Sequence, residues 1–137
     1  MAIYGFGAAY GGSDDKTSNF VEAQGAFVGY SEHDAPVSHA MLRMIEVGDI
    51  VFIKSFPPSI GLIIKAVGIV VKAGPINDEE LGSGVGVRWI YTGETGGGEN
   101  FRLGKMQDKA DFTRGGTLYR EYSPEVNGRI LSLLLGE

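Results

Sequence analysis

The fold is decided by residues 41–72, which read MLRMIEVGDIVFIKSFPPSIGLIIKAVGIVVK. Apolar residues on both sides of Met41 recur at helical spacing and predict a helix over 35–46 that turns one face to a core. Gly48 has the backbone freedom to make the turn that follows this helix. The β-branched and aromatic runs 50–54 and 62–71 then predict two strands within a well-covered sheet.

Length and composition predict one globular domain over residues 1–137. Hydrophobic residues make up 43% of the chain and charged residues 21%, which is typical of a globular protein. The chain has no cysteine, which excludes disulfides and zinc–thiolate sites and suits a reducing compartment. No signal-peptide pattern opens the sequence, and the longest apolar run, 60–71, is too short to span a bilayer. We therefore expect a cytoplasmic protein with no membrane partner.

The formal net charge of −5 bears on the class of partner. It argues against broad electrostatic binding to duplex nucleic acid, because such binding relies on many phosphate contacts. It is compatible with a small basic patch around a pocket. It also suits a protein that binds a basic partner, as small inhibitor and immunity proteins do.

Outside the central stretch, apolar runs predict further strands at 3–6, 26–30 and 85–91, with short edge strands near 101–103 and 117–119. In the third of these runs, period-two alternation puts four side chains on one face: Val85, Val87, Trp89 and Tyr91. A short helical turn is expected at 19–23. Glycine and polar residues predict loops at 7–18, 74–84 and 93–100.

The C-terminal segment has the signals of a helix over 124–135. Ser123 is a good N-cap, Pro124 fits the first helical position, and Glu125 favours the positive end of the helix dipole. The apolar residues of this helix fall largely on one face: Val126, Ile130, Leu133 and Leu134. Together these elements predict an α+β fold, a small, curved, mostly antiparallel β-barrel flanked by two main helices.

The runs AMLRMIEVGDIVFI at 40–53 and AVGIVV at 66–71 resemble EVE domains of the PUA-like superfamily, which are related to YTH domains. In that family a Leu-Arg-x-Met run leads to Gly-Asp, an apolar strand and a returning strand with Val-Gly-Ile. Family members usually open with Tyr-Trp, whereas this chain opens with IYGF at 3–6. The resemblance implies a PUA-like barrel that reads modified bases or single-stranded nucleic acid, with the base held between aromatic rings.

The same resemblance implies a set of ligand-binding residues. Tyr30 and Ser31 stand where the family's strand enters the pocket, and Phe56 stands at the expected pocket rim. Trp89 is the only tryptophan and a candidate stacking wall. An aromatic ring stacked on a base contributes roughly 1–3 kcal/mol. Four basic residues could meet phosphates: Lys54, Lys65, Arg88 and Arg102.

Each of these residues also has a purely structural interpretation. Trp89 lies in an alternating strand, so it could pack in the core rather than face a ligand. Phe56 precedes Pro57 in a turn, where binding and simple loop packing are both open. Tyr30, at the end of a strand, is ambiguous. Single basic residues are more often solvated surface charges than phosphate ligands.

No residue pattern supports catalysis, a metal site or a cofactor. His33 and His39 are spaced so that they would not share a helix face, which disfavours a metal site. The acidic pairs Asp14-Asp15 and Glu79-Glu80 fall in polar loops, where carboxylates are usually surface charges. The sequence contains no Gly-x-Ser-x-Gly motif. We therefore predict a non-enzymatic protein, although a histidine close to Trp89 would favour an enzyme acting on a nucleotide.

The glycines in 5–12 invite comparison with a dinucleotide-binding fingerprint. Tyr10 stands where the third glycine should be, and no helical pattern follows directly. The segment is therefore interpreted as a flexible surface loop.

Two functions remain as predictions. The first is a module that binds a nucleobase, a nucleotide or single-stranded nucleic acid in an aromatic pocket. The resemblance places such domains beside restriction or anti-phage systems, in bacteria or phage. The alternative is an acidic module that binds a protein partner, as an inhibitor or immunity protein does.

Overall fold

The protein is described by a computed structural model over residues 1–108 and 111–137. Its class is α+β, as the sequence predicts. The strands are β1 (Ile3–Gly7), β2 (Ala9–Tyr10), β3 (Asp14–Asp15), β4 (Gly25–Val28), β5 (Ile50–Ser55), β6 (Leu62–Asp78), β7 (Gly82–Thr92), β8 (Phe101–Gly104) and β9 (Leu118–Arg120). The helices are α1 (Thr17–Ala23), α2 (Pro36–Leu42), α3 (Asp111–Arg114) and α4 (Pro124–Leu135), with a 3₁₀ turn at Glu94–Gly96.

The main sheet is mixed. Its strand order is β4-β7-β6-β5-β1-β9, with β8 pairing to β6, while β2 and β3 form a small separate pair. β1 runs parallel to β5, and the other pairs are antiparallel. Within the described ranges the end strands β4 and β9 do not pair with each other, so the strand order is open. The connection from β1 to its parallel neighbour β5 carries α1, β4 and α2.

The two strands predicted in the central stretch are present as β5 and β6, and β5 follows a tight turn at Gly48 and Asp49. Gly48 has a φ of +94°, a conformation that glycine adopts readily. The buried carboxylate of Asp49 accepts hydrogen bonds from the backbone N–H groups of Ala2, at 3.0 Å, and Glu46, at 2.8 Å. This side chain therefore fastens the start of β5 to the chain just before β1.

Three predicted spans are wrong. The loop predicted at 7–18 contains β2, β3 and the first residues of α1. The helix predicted over 35–46 is shorter, because after α2 the backbone N–H groups of Met44 and Ile45 bond to carbonyls three residues back. The loop predicted at 74–84 is mostly strand, since β6 continues to Asp78 and β7 begins at Gly82. Antiparallel pairing there satisfies the backbone groups of a segment whose polar composition indicates a loop.

The sheet separates two apolar cores. Alternate residues of β5 point to opposite sides: Val51 and Ile53 to one core, Ile50 and Phe52 to the other. The first core also holds residues from α1, β1, β4 and β7, among them Phe6, Phe20, Phe27 and Val85. The second is covered by α4 through Val126 and Ile130, the buried part of the predicted face.

The prediction that Val85, Val87, Trp89 and Tyr91 share one face of β7 is wrong for Tyr91. Val85, Val87 and Trp89 pack on the first core, but Tyr91 packs on the second. The pairing of β6 with β7 shifts register between Val67 and Gly68, so one extra β7 residue is inserted between Trp89 and Tyr91. That insertion breaks the simple alternation on which the prediction depended.

Candidate functional site

Four loops converge on an open cavity of about 430 Å³ at one edge of the sheet. The parallel strands β1 and β5 both end there, as does β4. The lining residues come from the last residues of β1 and β5, from the segments after β1, β4 and β5, and from the segment before β9: Gly7, Ala9, Tyr10, Gly11, Gly12, Gly29, Tyr30, Lys54, Ser55, Phe56, Pro57, Gly115, Gly116 and Thr117. Crevices at the carboxyl ends of parallel strands are common ligand sites, because several loops can reach one point.

Lys54 is the charged group of this cavity. It is 4% exposed, and its ammonium donates a hydrogen bond to the carbonyl of Gly116. Its Nζ also lies 5.7 Å from the centroid of the Tyr119 ring. In the described part of the chain no carboxylate lies within ion-pair distance of Lys54. Burial lowers the pKa of Lys54 to about 8.

The local backbone helps to place Lys54. The pairing of β5 with β6 shifts register between Ile53 and Lys54, leaving Lys65 as an extra residue on β6. A bulge bends the strand that carries it, which here is β6, the partner of β5 at Lys54. A Cβ at Gly7 would lie 3.5 Å from the Lys54 Nζ, an ordinary van der Waals contact, so the end of β1 lies directly beside the ammonium.

Tyr30 and Phe56 supply aromatic surface to the cavity. Tyr30 follows β4 and is 53% exposed, while its carbonyl is bound at 2.7 Å by Nε2 of the buried His39. Phe56 follows β5, is half-buried and packs partly on the second core. The backbone of Tyr30 is therefore held while its ring is accessible, and Phe56 is held by packing at the rim.

Tyr10 forms a third aromatic wall that sequence reasoning treated as part of a surface loop. Its hydroxyl donates to the carbonyl of Leu81 at 2.5 Å, and its ring meets Phe20 edge-on with centroids 6.0 Å apart. A Cβ at Gly29 would lie 2.8 Å from the Tyr10 ring, so the absence of a side chain there admits the ring. Burial raises the pKa of the Tyr10 hydroxyl.

An ion cluster, defined as Arg114 with Asp108, Asp111 and Glu121, lies next to the Gly115–Gly116 wall. The fully buried Arg114 guanidinium donates to both carboxylate oxygens of Glu121 at 2.8 Å. It also donates to Asp108 at 2.6 Å and to Asp111 at 2.8 Å. Glu121 further accepts the Tyr119 hydroxyl at 3.0 Å. The cluster thus fixes the segment that presents the Gly116 carbonyl to Lys54.

The predicted ligand-binding residues do not all meet. Tyr30, Lys54 and Phe56 line the cavity, whereas Ser31 borders a neighbouring cavity of about 290 Å³ that shares Gly29 and Tyr30 with it. Trp89 borders a separate cleft of about 530 Å³. Its Nε1 donates to the Phe20 carbonyl at 3.3 Å, and its ring packs partly on the first core. This placement favours the structural interpretation of Trp89.

The remaining candidates have local partners or lie elsewhere. Lys65 pairs with Asp15 at 2.9 Å, and Asp14 pairs with Lys16 at 3.1 Å. Arg88 borders the Trp89 cleft. Within residues 1–108 and 111–137, no group of three or more His, Cys, Asp or Glu side chains is placed to hold a metal ion. No helix in those ranges is long and apolar enough to cross a membrane.

Comparisons with known proteins give no family. No model of a known protein family matches the chain, and no curated protein matches it.

Proposed function

We propose that the chain is an EVE-related, PUA-like binding module that holds one nucleobase, free or within a nucleotide or single strand, in the cavity at Lys54. The observation that carries this proposal is that Tyr30, Phe56 and Lys54 meet at one open cavity of about 430 Å³. Ligand sites typically enclose roughly 300–1,000 Å³ and combine aromatic walls with few polar groups. An aromatic wall stacks on any base, and the ammonium can donate to its edge.

The course of the sheet supports the PUA-like part of the proposal. Although β4 and β1 are far apart in strand order, their backbones approach within 8 Å between Cα atoms. The sheet is therefore strongly curved, as a small barrel requires. The Gly48-Asp49 corner, on which the resemblance depends, starts β5, and β5 leads directly to Lys54 and Phe56.

The charge distribution favours binding of a single base over binding along an extended nucleic-acid strand. A protein that follows a strand needs a groove of basic residues, whereas this chain has a net charge of −5. Among the lining residues described, Lys54 is the basic one. Recognition would then depend on stacking and on the edge of a single base.

Removing either accessible ring should weaken binding. We expect Tyr30→Ala and Phe56→Ala each to lower the affinity for nucleosides and short single strands by about 5- to 150-fold, because stacking contributes roughly 1–3 kcal/mol per base. Isothermal titration calorimetry would measure the change. Trp89→Phe is the matched control, since Trp89 lies in another cleft, and it should keep wild-type affinity.

Two results would oppose this function. If binding is lost in Trp89→Phe and kept in Tyr30→Ala, the base lies in the Trp89 cleft and not in the cavity at Lys54. No binding of nucleosides or single strands by the wild-type protein would reject the base-binding function and favour the acidic protein-interaction module.

A further inference from the structure

We propose that the cavity selects 6-oxopurines, such as guanine and hypoxanthine, over 6-aminopurines, because Lys54 reads the edge of the base that carries O6 and N7. This inference rests on the proposed base-binding function and names the class of base. It depends on which hydrogen-bonding groups the cavity wall offers to a ligand.

The lysine offers donors and no acceptor. Its ammonium has three N–H donors, and the described contacts use one of them, on the Gly116 carbonyl. The side chain is almost fully buried and lines the cavity, and its Nζ lies 5.7 Å from the centroid of the Tyr119 ring. A donor that faces neither Gly116 nor this ring meets a ligand or water in the cavity. A buried donor without a partner is costly, so a ligand that presents acceptors at this point is favoured.

The same wall offers little to an amino group. None of the described lining residues is an aspartate or a glutamate. Three nearby carbonyls each accept one hydrogen bond already: Gly116 from Lys54, Thr117 from the Gly7 N–H at 2.8 Å, and Tyr30 from His39. The acceptors left on this wall are neutral, such as the Ser55 and Thr117 hydroxyls. The 6-amino group of adenine would therefore point its hydrogens at an ammonium, with no carboxylate to accept them.

A 6-oxopurine matches this arrangement because O6 and N7 are neighbouring acceptors. Lysine and arginine pair with these two atoms of guanine in the commonest base-specific contact of proteins with DNA. Stacking on Tyr30 or Phe56 does not distinguish one base from another, so the hydrogen bonds of Lys54 determine which base is preferred. Selectivity and affinity thus come from different residues of one cavity.

Proton uptake gives the inference a second readout. Since burial lowers the pKa of Lys54 to about 8, roughly half of the free protein carries a neutral amine at that pH. A base edge made of hydrogen-bond acceptors stabilises the ammonium relative to the neutral amine. Binding must therefore add a proton to Lys54 in those protein molecules in which the amine is neutral. The other titratable side chains are Tyr119, whose ring lies beside Lys54 and whose hydroxyl bonds to Glu121 of the ion cluster, and Tyr10 and Tyr30, which line the same cavity. Burial raises the pKa of Tyr119 and of Tyr10, so neither of these two loses its proton near pH 8.

The test compares inosine with adenosine, which have the same ring system and differ in the group at position 6 and in the proton that inosine carries on N1. At pH 7, calorimetry should show inosine binding about 10-fold or more tightly than adenosine. At pH 8, titrations in buffers of different ionisation enthalpy should show uptake of about half a proton per inosine bound. Lys54→Met should reduce inosine affinity to that of adenosine and abolish proton uptake, while Lys54→Arg should keep part of the preference. Circular dichroism would establish that both variants are folded.

The outcomes separate this inference from the proposed function. Equal affinity for inosine and adenosine, unchanged in Lys54→Met, would overturn the inference and leave base binding intact. A competition with inorganic phosphate gives a further test. If phosphate displaces adenosine at the same concentration as it displaces inosine, the inference is also overturned, because Lys54 then binds anions in general. If neither nucleoside binds, and short single strands also fail to bind, the base-binding function is rejected and the inference with it.

Discussion

Replacing Arg114 with methionine is expected to destabilise the fold by about 3–5 kcal/mol, which is the cost of removing one partner from a buried ion pair. Arg114 and the side chain of Glu121 are both fully buried, and the change leaves the Glu121 carboxylate without its cation. Urea denaturation followed by circular dichroism would measure the loss. The same variant should bind inosine more weakly, because the Gly116 carbonyl would no longer be held against Lys54.

The control for this variant is Arg43→Met. Arg43 forms an ion pair with Glu32 at 2.9 Å, but both side chains are exposed, so water screens the pair and it contributes little to stability. Similar losses in the two variants would show that the buried cluster has no special role in stability. That result would remove the argument that Arg114 positions the cavity wall.

Lys54→Met should have the opposite effect to Arg114→Met on the free energy of unfolding. We expect it to stabilise the protein at pH 7 by about 1–3 kcal/mol. The pKa of Lys54 falls from an ordinary value of 10.5 to about 8, so the folded protein disfavours the charged amine that it holds at neutral pH. Methionine has nearly the same length and carries no charge. Thermal or urea denaturation of both proteins would measure the difference.

The pH dependence separates this explanation from better packing by methionine. Between about pH 8 and 10.5 the unfolded chain binds more protons at Lys54 than the folded chain does. Wild-type stability should therefore rise across this window relative to the variant, while below it the full cost of burying the charge remains. Lys105→Met, at an exposed position, should change neither quantity. A Lys54→Met protein less stable than wild type at pH 7 would contradict the account of Lys54 as a costly buried cation.

A residue that lowers stability where a neutral side chain would fit is a candidate for function. Lys54 meets this description and lines the same cavity as Tyr30 and Phe56. Stability and ligand affinity should therefore move in opposite directions in Lys54→Met. In Arg114→Met both should fall.

Elements with local signals could be predicted from the sequence. The helix α4 has the predicted bounds because Ser123, Pro124 and the apolar spacing all act within the segment. The strands around the Gly48-Asp49 corner were predicted for the same reason. The loop predicted at 74–84 was wrong because pairing with β7, rather than local composition, decides its conformation.

The candidate site could be predicted only in part. Tyr30 and Phe56 came from the resemblance, and Lys54 was one of the basic residues that could meet phosphates. The three share a cavity because the segment after β4 and the end of β5 both reach it, although two strands, β7 and β6, lie between β4 and β5 in the sheet. Gly116 reaches Lys54 through the pairing of β9 with β1, which no local pattern indicates. The ion cluster is likewise built from residue types that usually lie on the surface. Trp89 was selected as the one tryptophan, yet its strand directs it to a different cleft.

A crystal structure of the protein with inosine would test the central claim most directly. We expect the base in the cavity lined by Tyr30 and Phe56, with O6 or N7 within hydrogen-bond distance of the Lys54 Nζ. A base bound in the Trp89 cleft, or one in the cavity whose O6 and N7 both point away from Lys54, would contradict the account.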